Sequence, residues 1–154
     1  MKPTTALVYG LAAAAANAAP TDESLRTEKT TITNLFVRQY VTGGDKRIDS
    51  VTFKLSGDNA TDLDCAAQSP EFPNPQRPTT CGTSKYRFTL RPGTDGSEFS
   101  LRLYHELAPA VGLWGDKNCP LYCHAGGRGP SDSACTQVGD FNIVLGSSGP
   151  PKDP

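Results

Sequence analysis

Two histidines, one tryptophan and one methionine are all that the 154 residues hold of these side chains, and that scarcity removes several kinds of chemistry at once. Hydrolysis of the Ser-His type needs an imidazole oriented beside a nucleophile. His105 continues an inward-facing strand series and reads as a core or rim residue, whereas His124 sits in a loop beside Cys123. No serine occupies a Gly-x-Ser-x-Gly elbow, and the run Gly126-Gly127-Arg128-Gly129-Pro130 lacks the lysine of a phosphate loop. Neighbouring carboxylates, Asp22 with Glu23 and Asp62 with Asp64, suit solvated arms and turns rather than a cleft holding two acids. No catalytic residue is expected, and the protein is not expected to be an enzyme.

Excess charge is missing too. Lys and Arg total 15 against 16 Asp and Glu, a net charge of -1, so no field recruits nucleic acid or acidic lipid. Past the first residues, no segment is apolar enough to cross a bilayer, and the tail after Gly146 lacks the hydrophobic end of a lipid-anchor signal. The beginning is different. Lys2 precedes an apolar run from Ala6 to Ala16, and Ala16-Asn17-Ala18 has the small-residue pattern of a signal-peptidase site. Residues 1–18 are therefore expected to be a leader cut after Ala18, and the mature protein to be secreted and extracellular.

Export decides how the five cysteines read, because an oxidising compartment favours bridges. Cys65 and Cys81 bracket a stretch with Pro70, Pro73, Pro75 and Pro78, and Cys123 and Cys135 bracket the glycine loop. Spacing alone leaves other pairings open. Cys119 is the odd residue; three residues separate it from Cys123, which is not a Cys-x-x-Cys redox pair, and it suits a bridge to another chain in a homodimer. Cys119, Cys123, His124 and Cys135 are close in sequence, but secreted thiols oxidise, so neither metal nor cofactor is expected.

The remaining pattern is that of strands. Residues 19–29 are polar and aperiodic and read as a flexible arm, and 147–154 as a flexible tail. From Thr30 to Val41, Ile32, Phe36, Val37, Tyr40 and Val41 fit a strand with one irregularity. Val51, Phe53 and Leu55 alternate with polar residues, as do Tyr86, Phe88 and Leu90, then Phe99, Leu101, Leu103 and His105, and finally Phe141, Ile143 and Leu145. Pro92-Gly93 and Asp95-Gly96 mark a hairpin turn between the Tyr86 and Phe99 runs, and a short strand is expected over Val111–Trp114. No window keeps a helical period. The expected fold is all-β, a single antiparallel barrel or strongly curved sandwich over residues 30–146, tied by two intrachain disulfides. Asn59-Ala60-Thr61 is a glycan-acceptor triplet after the Gly57-Asp58 turn. Trp114 is a candidate for a shallow groove, with Tyr122, His124 and Arg128 as an adjoining polar rim.

Two blocks carry a likeness to a known family. Tyr122-Cys123-His124-Ala125-Gly126-Gly127-Arg128-Gly129-Pro130, followed by Cys135 and Phe141-Asn142-Ile143-Val144-Leu145, resembles the Alternaria major allergen-like family, and Cys65-Ala66-Ala67-Gln68 to Cys81-Gly82 resembles its earlier disulfide loop. The resemblance implies a fungal secreted β-barrel, an allergen or elicitor of plant defence, with Cys65 paired to Cys81 and Cys123 to Cys135. It implies a host partner of the thaumatin-like, pathogenesis-related type and a flavonoid-like ligand near a dimer interface. The allergen's additional cysteine near the mature amino terminus has no counterpart between Ala19 and Asp64, where this chain has Cys119 instead.

Overall fold

The computed structural model describes residues 26–148, and the leader, most of the expected arm and all but the first two residues of the tail lie outside them. Ten strands follow one another: β1 (Thr27–Thr42), β2 (Asp45–Gly57), β3 (Ala60–Gln68), β4 (Thr79–Thr80), β5 (Tyr86–Pro92), β6 (Phe99–Ala108), β7 (Val111–Asn118), β8 (Leu121–Ala125), β9 (Asp132–Gln137) and β10 (Phe141–Gly146). Every pairing is antiparallel. The order is β3-β2-β1-β10-β7-β6-β5-β4, with β9 also on β1 and β8 on β9. Curved upon itself, this is the expected all-β, nearly closed barrel, and no helix occurs among the described residues.

Alternation fills the interior. Val51, Phe53 and Leu55 from β2, Tyr86, Phe88 and Leu90 from β5, Phe99, Leu101 and Leu103 from β6, and Phe141, Ile143 and Leu145 from β10 are all buried, as a period of two requires of strands with one face inward. The hairpin between β5 and β6 is present, with Tyr86 opposite His105 and Pro92 opposite Phe99. The strand expected at Val111–Trp114 continues to Asn118.

β1 holds the irregularity, and it is the pivot of the fold. Glu28, Thr30 and Ile32 point inward, then Asn34 takes φ 55° and the inward set becomes Leu35, Val37 and Gln39. The register with β2 shifts between Thr33 and Phe36, the signature of a bulge. On its other side β1 pairs with β10 up to Ile32 and with β9 from Phe36 onward. The ladder groups stranded at this change of partner are met by one side chain: Gln137 Oε1 accepts from the Leu35 amide at 3.0 Å, and its Nε2 donates to the Ile32 carbonyl at 3.0 Å.

One expectation needs correction. The arm does not extend to residue 29, because Thr27–Lys29 already pair with Gly146–Val144, and Glu28 is only 2% exposed. Nor was β3 evident as a strand, since Asp62 and Asp64 keep one face in water and only Leu63, Cys65 and Ala67 supply the apolar alternation.

Gln137→Ala removes both partners of the bulge at once and leaves a buried strand with an unpaired donor and acceptor, each costing about 1–3 kcal/mol. Urea titration should show a fall of about that size in unfolding free energy; an unchanged midpoint would show that water replaces the amide without loss.

Candidate recognition surfaces

The glycine loop is a clamped structure. Cys123 and Cys135 stand directly opposite each other on β8 and β9 and are joined by a disulfide that closes the intervening loop. Inside the loop, Arg38 of β1 reaches across β9: its Nε donates to Asp132 Oδ1 at 3.0 Å and its Nη2 to Asp132 Oδ2 at 2.6 Å and to the Gly126 carbonyl at 3.0 Å. Asp132 Oδ2 also accepts from the Arg128 amide at 2.9 Å. A bidentate guanidinium fixes a carboxylate plane, so one ion pair sets the path of the whole loop. Glycine is required where the chain passes this pair, since a Cβ on residue 126 would lie 2.3 Å from Asp132 Oδ2.

On this frame the side chains singled out from the sequence stand outward. Tyr122 is 63% exposed, His124 is exposed beside it with ring centroids 6.3 Å apart, and the Arg128 side chain, 69% exposed, lies 3.6 Å from Asp49. Tyr122, His124 and Arg128 thus share one ribbon. Trp114 does not join them. It lies on β7, which pairs with β6 and β10 and not with β8, half-buried with the Arg102 guanidinium 5.1 Å from its ring. Its indole N–H donates to the Ser148 carbonyl. Beside it, Tyr104, Val111, Lys85 and Arg87 line a shallow groove of about 480 Å³. The expected single site is therefore two surfaces.

Both expected intrachain bridges are present, Cys65–Cys81 and Cys123–Cys135. Cys119 is unpaired, as its odd place implied, but it is buried in the core at 5% exposure. Burial pushes its thiol up to about 12. A bridge to another chain needs an accessible thiolate, so the interchain role does not fit this position. No group of three or more His, Cys, Asp or Glu residues placed to hold a metal ion occurs among the described residues.

Sequence reasoning missed one polar cluster entirely. Inside the barrel, Glu28 Oε2 accepts from His105 Nδ1 at 2.5 Å and Glu28 Oε1 from the Tyr86 phenol at 2.5 Å, while the Tyr86 and His105 rings stack with centroids 4.0 Å apart. The turn between β2 and β3 is drawn onto it: Asp58 N–H donates to Glu28 at 2.9 Å and Asn59 N–H to the Tyr86 oxygen at 3.2 Å. Glu28 faces inward in phase with Thr30 and Ile32, and that phase was the available signal. The cluster is closed to solvent, so it plugs the barrel end.

Two outcomes follow. Non-reducing electrophoresis should give a monomer, and thiol reagents should label Cys119 only after unfolding; a reducible dimer lost in Cys119→Ser would reverse the burial argument. The hydrogen bond from Arg38 holds the Asp132 carboxyl below the usual carboxylate range. A depressed folded-state value means that the contribution of this pair is complete above about pH 4 and is lost as pH falls through the folded value. The Arg128 amide resonance should follow that acid titration, and Asp132→Asn should let trypsin cut after Arg128 at neutral pH; resistance equal to wild type would show that the disulfide alone orders the loop.

The Alternaria alternata allergen 1 family model matches residues 32–135. The effector protein PevD1 of Verticillium dahliae is 40% identical over 144 residues, covering 92% of this chain and 90% of that protein. Two crystal structures of the Alternaria alternata major allergen Alt a 1 share the fold at 28% identity over 76% of this chain, with TM-scores of 0.57 and 0.58 and 91% and 86% of their own chains covered. These relatives are named as effector and allergen proteins. The chain, with its two disulfides and its bulged, nearly closed barrel, belongs to the Alternaria alternata allergen 1 family.

Proposed function

We propose that this protein is a secreted effector of fungal type that binds a plant defence protein, with a thaumatin-like, pathogenesis-related protein as the partner the family resemblance favours, and so alters plant immunity. The carrying observation is the clamped ribbon: Tyr122 and His124 on β8 and Arg128 on the loop that follows it stand in water beside the Cys123–Cys135 disulfide and the Arg38–Asp132 pair. Exposed aromatic and arginine side chains on pre-ordered backbone are the usual anchors of protein interfaces, because little entropy remains to be lost on binding. The 40% identity to an effector protein over nearly the whole chain supports the same reading, and the likeness to the allergen Alt a 1 supports reading the chain as an allergen as well. Secretion follows from the leader at 1–18, and catalysis has no part in the proposal.

The Trp114 groove supports a second reading, carriage of a flat, flavonoid-like aromatic ligand against Trp114, Tyr104 and Val111. Such a ligand would quench Trp114 fluorescence.

The two surfaces lie on strands that do not pair with each other and can be tested separately. With a purified thaumatin-like protein as the probe, Tyr122→Ala and Arg128→Ala should each weaken binding by about 30-fold, the effect of losing one anchor worth roughly 2 kcal/mol, while Trp114→Ala leaves it unchanged. Quenching of Trp114 by micromolar quercetin, with no binding to the protein probe, would favour carriage and sink the effector reading of the ribbon.

A further inference from the structure

The turn between β2 and β3 presents a modification site. Gly57 and Ala60 face each other across a two-residue turn made by Asp58 and Asn59. Both turn amides donate into the barrel, to Glu28 and to Tyr86, which fixes the backbone. The Asn59 side chain itself stands at the surface, and so does Thr61 two residues on. Close packing behind the turn requires glycine at residue 57, where a Cβ would come within 2.4 Å of Glu28 Oε1 and 2.9 Å of the Tyr86 oxygen.

We infer that Asn59 carries an N-linked glycan seated over the plugged end of the barrel. The acceptor triplet Asn59-Ala60-Thr61 falls at a tight turn with Asn59 and Thr61 exposed, where a bulky sugar meets solvent rather than core. In the transfer, the Asn59 amide nitrogen forms a bond to the anomeric carbon of a lipid-diphosphate-linked oligosaccharide, the bond from that carbon to the diphosphate breaks, and the nitrogen gives up one proton. No oxidation is involved.

One hydrogen remains on the nitrogen afterward. Asn59 Nδ2 lies 3.5 Å from His105 Nε2. With His105 Nδ1 turned to Glu28, Nε2 is the ring atom that faces the Asn59 amide. Seated there, the glycan would be a cap over the plug.

This inference rests on secretion, so the test reads both. The full chain, with its own leader, is expressed in a yeast that glycosylates, and medium and cells are examined separately. The expected result is a secreted form whose mass drops on treatment with peptide-N-glycosidase, which leaves a carboxylate at position 59. Asn59→Gln and Thr61→Ala should both run at the deglycosylated size. Thr61→Ala is the cleaner control, because it removes the acceptor triplet without touching the amide that meets His105. A secreted wild-type protein without glycan overturns the inference and leaves secretion intact; absence from the medium overturns both.

Discussion

The barrel depends on a seam that no hydrogen-bond ladder closes. β3 ends the sheet on one side and β4 on the other, and no backbone pairing joins them among the described residues. Cys65 on β3 and Cys81, one residue past β4, are bonded across this gap, and the Phe53 and Phe88 rings from β2 and β5 meet edge to face at 4.9 Å inside it. In the loop-entropy picture such a bridge is worth roughly 3 kcal/mol, a large part of the net stability of a domain this small. It replaces a ladder that β4, with two residues, is too short to provide.

Given that seam, the two barrel ends are stopped differently. At one end the proline-rich loop brings Phe72 against Phe99, with centroids 5.7 Å apart, which is apolar packing between aromatic edges. At the other, Glu28, Tyr86 and His105 fill the lumen with polar groups that satisfy one another and take in the turn amides of Asp58 and Asn59. A buried carboxylate and imidazole cost far more than an apolar plug unless every lone pair and proton is met. The acceptors supplied to the turn explain why the cluster is tolerable: Glu28 serves the phenol, the imidazole and a backbone amide at once.

How much of this was legible follows from range in sequence. Local alternation was enough for Val51–Leu55, the Tyr86–Glu106 hairpin and Phe141–Leu145, because each buries alternate residues against the same interior. The cysteine loops were legible because a loop that buries little needs a tie. Glu28 was not, since a single carboxylate in a polar stretch looks solvated until His105, far along the chain, is brought to it. Cys119 misled for the same reason: an odd cysteine in a secreted chain suggests an exposed partner-seeker, and only the pairing of β6 with β7 shows that it ends inside. Tyr122 and Trp114 looked like parts of one site because eight positions separate them in sequence, whereas β7 and β8 belong to different branches of the sheet.

The bulge in β1 links these branches. Without the change of phase at Asn34, the strand would continue beside β10, and its second half would turn Leu35 and Val37 outward. With it, the same strand releases β10 and takes β9, and β8 follows through Cys123 and Cys135. Arg38 lies four residues past Asn34, on the half of β1 that faces β9, and from there it reaches Asp132 and the Gly126 carbonyl. The placement of Tyr122, His124 and Arg128 is thus a consequence of one left-handed residue more than eighty positions upstream, met by the side-chain amide of Gln137. An exposed ribbon of this kind tolerates change in its outward side chains as long as the arginine, the aspartate, the glycine beside them and the bulge beneath are kept.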